Sequence, residues 1–159
     1  MKKLSVLLVV IVAAILAGAS AALSAAPPAR TFVAVMSADE EVPTCVAATN
    51  AARGVAVFHV IDAAAGTVEY RVIANNLPGD LSAAHIHLAP AGVAGPIQQP
   101  LPLTPGAENG VVGEGTFTNL ALVAAIQSSP DNYYVNVHTG VCPSGVIRGQ
   151  LGDHGPLNR

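Results

Sequence analysis

The chain has 159 residues, of which 52% are apolar and only 11% charged, and its formal net charge is −3. That length suits one domain and not comfortably two. The scarce, net-acidic charge argues against nucleic acid and against anionic membrane surfaces, both of which recruit basic patches.

The N-terminus reads as a targeting segment. Lys2 and Lys3 form a charged start, Leu4–Leu16 an apolar run, and Ala17–Ala26 a stretch of mostly small residues. This is the pattern of a secretory signal peptide over residues 1–22. A cut after Ala21 or Ala22 fits best, because Pro27 disfavours one after Ala26. The rival reading, an uncleaved anchor, needs ~20 strongly apolar residues, and the run is shorter. No cysteine closely follows it, so a lipid anchor is not indicated. Export to the periplasm or beyond is expected, with no membrane insertion after cleavage. Cleavage removes both lysines and leaves five arginines against ten acids. Residues 23–30 form a Pro/Ala linker, 31–152 the domain and 153–159 a polar tail.

The two cysteines are Cys45 and Cys142. In an exported protein an even count predicts a disulfide, and only one pairing exists. A Cys₂His metal site is the alternative.

Short β-branched runs predict strands at Thr31–Ser37, Gly54–Ile61, Thr67–Ile73 and Leu81–Leu88. Between the first two, Asp39, Glu40 and Glu41 read as a solvated acidic turn. Ala89–Gly95 reads as a flexible loop. Pro96–Leu101 reads as an edge strand, since prolines would interrupt a central ladder. Gly113–Thr118 is a further strand. Asn119 is a good N-cap for one short helix, with Leu120, Val123 and Ile126 at helical spacing. Seven or eight short strands and one helix predict an all-β antiparallel sandwich or barrel.

Two stretches carry the chemistry. Tyr133–His138 alternates, with Tyr133, Val135 and Val137 on one face and Tyr134, Asn136 and His138 on the other. Gly145–Leu151 returns with Ile147 and Leu151 opposite Arg148 and Gln150. In Ala84–Leu88, His85 and His87 share a face and Ile86 takes the other. Histidines at i and i+2 on a strand stand roughly 6.6 Å apart along the backbone and point the same way.

The run Glu41-Val42-Pro43, Ala84-His85-Ile86-His87, Gly95-Pro96, Tyr134-Val135-Asn136-Val137-His138-Thr139 and Pro143–Leu151 resembles the CHRD domain, named for repeats in chordin. The resemblance covers essentially the whole mature chain. It departs at Ala89, where members often carry Gly, and at Cys142, where they often lack a cysteine. The resemblance implies an immunoglobulin-like β-sandwich with a distant likeness to Cu/Zn superoxide dismutase. It implies no settled biochemical function, and growth-factor binding does not carry over from chordin. His85, His87 and His138 resemble the copper ligands of that dismutase. The bridging histidine and His-rich zinc loop of the enzyme are absent between His87 and His138, which puts dismutase activity in doubt.

From the residues alone, His85, His87 and His138 could converge on one ion, and three neutral imidazoles suit copper or zinc. That meeting requires the two histidine strands to pair or to lie within one strand of each other. The competing reading is a polar network in which Asn136, Arg148 and Gln150 partner the imidazoles. Arg148 reads as a fork to carboxylate or carbonyl groups rather than an anion receptor. His59 stands alone in an apolar strand and reads as a satisfied histidine; His154 reads as inert. No catalytic residues stand out: there is no Gly-x-Ser-x-Gly, no paired carboxylates on one strand face, and no phosphate loop. The expectation is a non-enzymatic binding or structural module with no assigned partner, and the alternative is a copper- or zinc-binding protein.

Overall fold

The structure is a computed structural model that describes residues 30–153. The expected signal peptide, most of the linker and His154 lie outside the described residues. The strands are β1 (Thr31–Ser37), β2 (Arg53–Asp62), β3 (Thr67–Asn75), β4 (Leu81–Leu88), β5 (Ile97–Pro100), β6 (Gly110–Thr118), β7 (Tyr133–Thr139) and β8 (Ile147–Asp153). One α-helix, α1 (Leu120–Ser128), follows β6, and single 3₁₀ turns occupy Ala38–Glu40 and Pro130–Asn132.

The fold is all-β and antiparallel with one short α-helix, as the alternation of the sequence predicts. All eight strands hydrogen-bond in one sheet, in the order β5-β4-β7-β8-β1-β2-β3-β6. The layers of the expected sandwich are therefore parts of one curled sheet rather than two separate sheets. Alternate side chains of the long strands face a common interior, while Val35, Ile61 and Val111 stay exposed. Phe32, Phe58, Val72, Ile86, Val135, Val137 and Leu151 are all at most 3% exposed and belong to one core. Burying each of the larger aliphatic or aromatic side chains contributes about 1.5–3 kcal/mol. This core forces the opposite parity of every strand onto the other side of the sheet.

Three local differences from the sequence reading have physical causes. β6 begins at Gly110 rather than Gly113, because Val72 pairs with Gly113 while Ile73 pairs with Val111. Val112 is thus an extra residue in a β-bulge, which breaks the period-two signal. In α1 the Asn119 side chain accepts the Leu122 N–H at 3.1 Å, capping the helix as expected. The buried residues there are Leu122, Val123 and Ile126, while Leu120 remains 52% exposed. The loop after Leu88 is not free, as the site below shows. β5 stands at the sheet edge, where Pro96 before it and Pro100 at its end cost no interior ladder bond.

Cys45 and Cys142 form a disulfide, with Cα atoms 5.8 Å apart and a sequence separation of 97. In the chain-entropy model such a closure stabilises the fold by roughly 4–5 kcal/mol. The bond ties the segment after β1 to the β7–β8 turn.

Candidate metal centre

β4 and β7 pair directly, so the register decides which polar side chains meet. His87 stands opposite Tyr134, His85 opposite Asn136, and Ala83 opposite His138. One strand further, Tyr134 stands opposite Gln150 and Asn136 opposite Arg148. The apolar faces of these strands fill the core, so the polar residues form one patch on the far side.

Within that patch, nitrogens of His85, His87 and His138 all lie within 4.8 Å of one another. The ring centroids are 5.5 Å apart for His85 and His87, 4.9 Å for His85 and His138, and 6.3 Å for His87 and His138. Three nitrogens bound to one tetrahedral ion at ~2.0 Å would be about 3.3 Å apart. Small ring movements bridge that difference.

Backbone carbonyls fix two of the tautomers. Carbonyl oxygens only accept, so each bond puts the proton on Nδ1. His87 Nδ1 donates to the Gly95 carbonyl at 2.8 Å, and His138 Nδ1 donates to the Pro143 carbonyl at 3.0 Å. Both rings therefore turn an Nε2 lone pair inward. His138 Nε2 lies 3.1 Å from His85 Nδ1, which must be the donor. His87 Nε2 is buried and has no hydrogen-bond partner, and neither has Asn136 Oδ1. A buried polar atom without a partner is costly and requires an explanation. An imidazole whose far nitrogen is held by a carbonyl is the usual arrangement of a metal ligand.

Burial keeps the three rings neutral. It pushes His85 down to about 4, aided by the neighbouring His138 and His87. It also lowers His87 and His138, against the opposing effect of their carbonyl bonds and, for His87, of the Asn136 side chain. Neutral imidazoles are the form that binds metals.

A clamp surrounds the rings. The His87 ring stacks on Tyr134 with centroids 4.7 Å apart and planes 10° from parallel. The Arg148 guanidinium lies 3.5 Å above the centre of the same Tyr134 ring, a cation–π contact. Arg148 is 1% exposed. It donates to the carbonyls of Val93 at 2.8 Å and Pro90 at 2.9 Å, and to Gln150 Oε1 at 2.9 Å. Gln150 Nε2 reaches the carbonyls of Ala89, Asp131 and Tyr133. Tyr134 Oη accepts the Gly95 N–H at 3.1 Å. The segment 89–95 is thus pinned across the patch, in contrast to the flexible loop its composition suggests.

The structure therefore brings His85, His87 and His138 together, with Asn136, Arg148 and Gln150 around them. Backbone carbonyls, not Arg148 or Gln150, bond the imidazoles of His87 and His138 at Nδ1, while the Asn136 side chain acts on His87 and favours its protonated form. Arg148 forks to carbonyls and not to a carboxylate. His59 is elsewhere, its Nδ1 3.1 Å from Thr31 Oγ1 across β1 and β2. Sequence reasoning placed Tyr134 on the polar face without giving it a role, and missed Glu41. Tyr134 shares the parity of Asn136 and His138, a signal that was present. Glu41 was read as solvated but is 3% exposed and reaches Asn136, a correction no local pattern announces.

No curated protein and no solved structure matches the chain, so the likeness to Cu/Zn superoxide dismutase finds no support. The CHRD domain matches residues 32–151. That span runs from β1 to β8 and includes every side chain of the histidine patch, and the chain belongs to the CHRD domain family.

Proposed function

We propose that this chain is an exported, non-enzymatic CHRD module whose three-histidine patch binds one copper or zinc ion. The observation that carries the reading is the buried Nε2 of His87, which has no partner and shares a 4.8 Å cluster with His85 and His138. Export is supported by the N-terminal pattern and by the Cys45–Cys142 disulfide, which belongs to oxidising compartments. Among the described residues no helix is long and apolar enough to cross a membrane.

The second reading is a hydrogen-bonded patch of purely structural use. The His85–His138 bond favours it, since that contact already satisfies two of the ring nitrogens without an ion. Titration of the metal-free protein with Zn(II) separates the two. The metal reading predicts one ion per chain and at least tenfold weaker binding in His87→Ala. Binding that is absent, or unchanged by His87→Ala, leaves only the network.

A further inference from the structure

Asp39, Glu40 and Glu41 are consecutive acids with different fates. Asp39 and Glu40 are exposed, whereas Glu41 keeps only 3% of its surface. A buried carboxylate ordinarily has a cation beside it. Glu41 has no ion-pair contact within 4.0 Å among the described residues, although the Arg148 charge acts on its carboxyl from further off and lowers it against the effect of burial. The direct contacts of the Arg148 guanidinium go to Pro90, Val93, Gln150 and Tyr134, so its charge is shared and the carboxylate keeps no close cation.

The Glu41 carboxylate points toward the histidines through one amide. Its Oε1 accepts the Val42 N–H at 3.0 Å, and its Oε2 faces Asn136 Nδ2 at 3.5 Å. Asn136 stands opposite His85, and its Oδ1 is buried with no partner. The arrangement needs glycine at 145, where φ is +129° and a Cβ would collide with the Glu41 carboxylate and come within 2.9 Å of Asn136 Nδ2. The disulfide holds the two loops in this register, since Cys45 follows Glu41 and Cys142 precedes Gly145.

We infer that Glu41 is the counter-charge of the ion held by His85, His87 and His138, acting across Asn136, and that it biases the site toward doubly charged Zn(II) or Cu(II) over Cu(I). This rests on the metal reading above. Three neutral imidazoles supply no negative charge, so an anion nearby decides how well extra positive charge is tolerated. Coulomb attraction scales with the charge of the ion. At an effective dielectric of ~20, two unit charges on the order of 10 Å apart attract with an energy equivalent to about a tenfold change in affinity per unit of ion charge. Loss of the carboxylate should therefore penalise a dication by about that factor more than a monocation.

The test compares Zn(II), measured against a chromophoric zinc chelator, with Cu(I), measured anaerobically against bicinchoninate. Glu41→Gln keeps the shape and removes the charge. It should weaken Zn(II) at least about tenfold more than Cu(I). Glu41→Asp should retain most of the wild-type ratio. Should Glu41→Gln not fold, Asn136→Asp adds negative charge closer to the ion and must raise the Zn(II)-to-Cu(I) ratio. A ratio unmoved by these changes, or equal losses for both ions, overturns the counter-charge and leaves Glu41 a structural residue. Wild-type protein that binds neither ion fails the metal reading itself, and the counter-charge with it.

Discussion

His87 shows how single residues acquire a role from their surroundings. Its Nδ1 proton is committed to the Gly95 carbonyl, its ring is stacked on Tyr134, and its Nε2 is left without a partner. Burial holds it and its two neighbours in the neutral form, with His85 at about 4. A consequence for pH follows in the metal-free protein. An unfolded histidine takes up a proton near 6.5. As pH falls below that value the unfolded chain binds protons that folded His85 refuses until about 4. The stabilising effect is therefore complete above about 6.5 and is lost as pH falls toward 4. Glu41 acts in the opposite sense, because burial raises its carboxyl and the folded state gains a proton before the unfolded one. The large shift is that of His85, so the histidines set the direction of the pH dependence. Thermal melts in a chelating buffer should show Tm falling between about pH 6.5 and 4, with a shallower fall in His85→Gln. A Tm that is flat or rising across that window would contradict the burial account.

At the scale of elements, the site depends on β4 pairing with β7 and on a clamped loop. Arg148 in β8 reaches two carbonyls of segment 89–95, and Gln150 reaches a third. A lysine carries the same charge, but its single nitrogen lacks the planar fork that spans both carbonyls while stacking on Tyr134. Arg148→Lys should lower stability by about 1.5–3 kcal/mol in denaturant unfolding, the usual range for hydrogen bonds to charged groups. It should also open segment 89–95 to limited proteolysis. A change below about 0.5 kcal/mol, the range of an ordinary surface substitution, would show that the clamp is not energetically used. Much of this was legible in the sequence. Parity on Ala84–Leu88 and Tyr133–His138 placed the histidines opposite the apolar core, and Asn119 announced its helix. The clamp was not legible, because its acceptors are backbone carbonyls that every residue carries. The burial of Glu41 was not legible either, because three acids in a row give no sign of which one a later turn will cover. The β6 bulge was hidden for a similar reason, since one extra valine disrupts the alternation used to find strands.

At the scale of the molecule, one curled sheet separates an apolar interior from a polar patch. The patch combines two segments about 50 residues apart, His85-Ile86-His87 in β4 and His138 in β7. The disulfide closes a loop around it, with a sequence separation of 97. The central claim is that His85, His87 and His138 share one ion. The most direct measurement is histidine-ring NMR of the intact exported protein during addition of one equivalent of Zn(II). Ring signals of His85, His87 and His138 should move together and saturate at one ion per chain. His59, hydrogen-bonded to Thr31 on β1, should remain in place. Signals of the three histidines that stay unchanged, or shift independently with different saturation points, would contradict a shared metal centre.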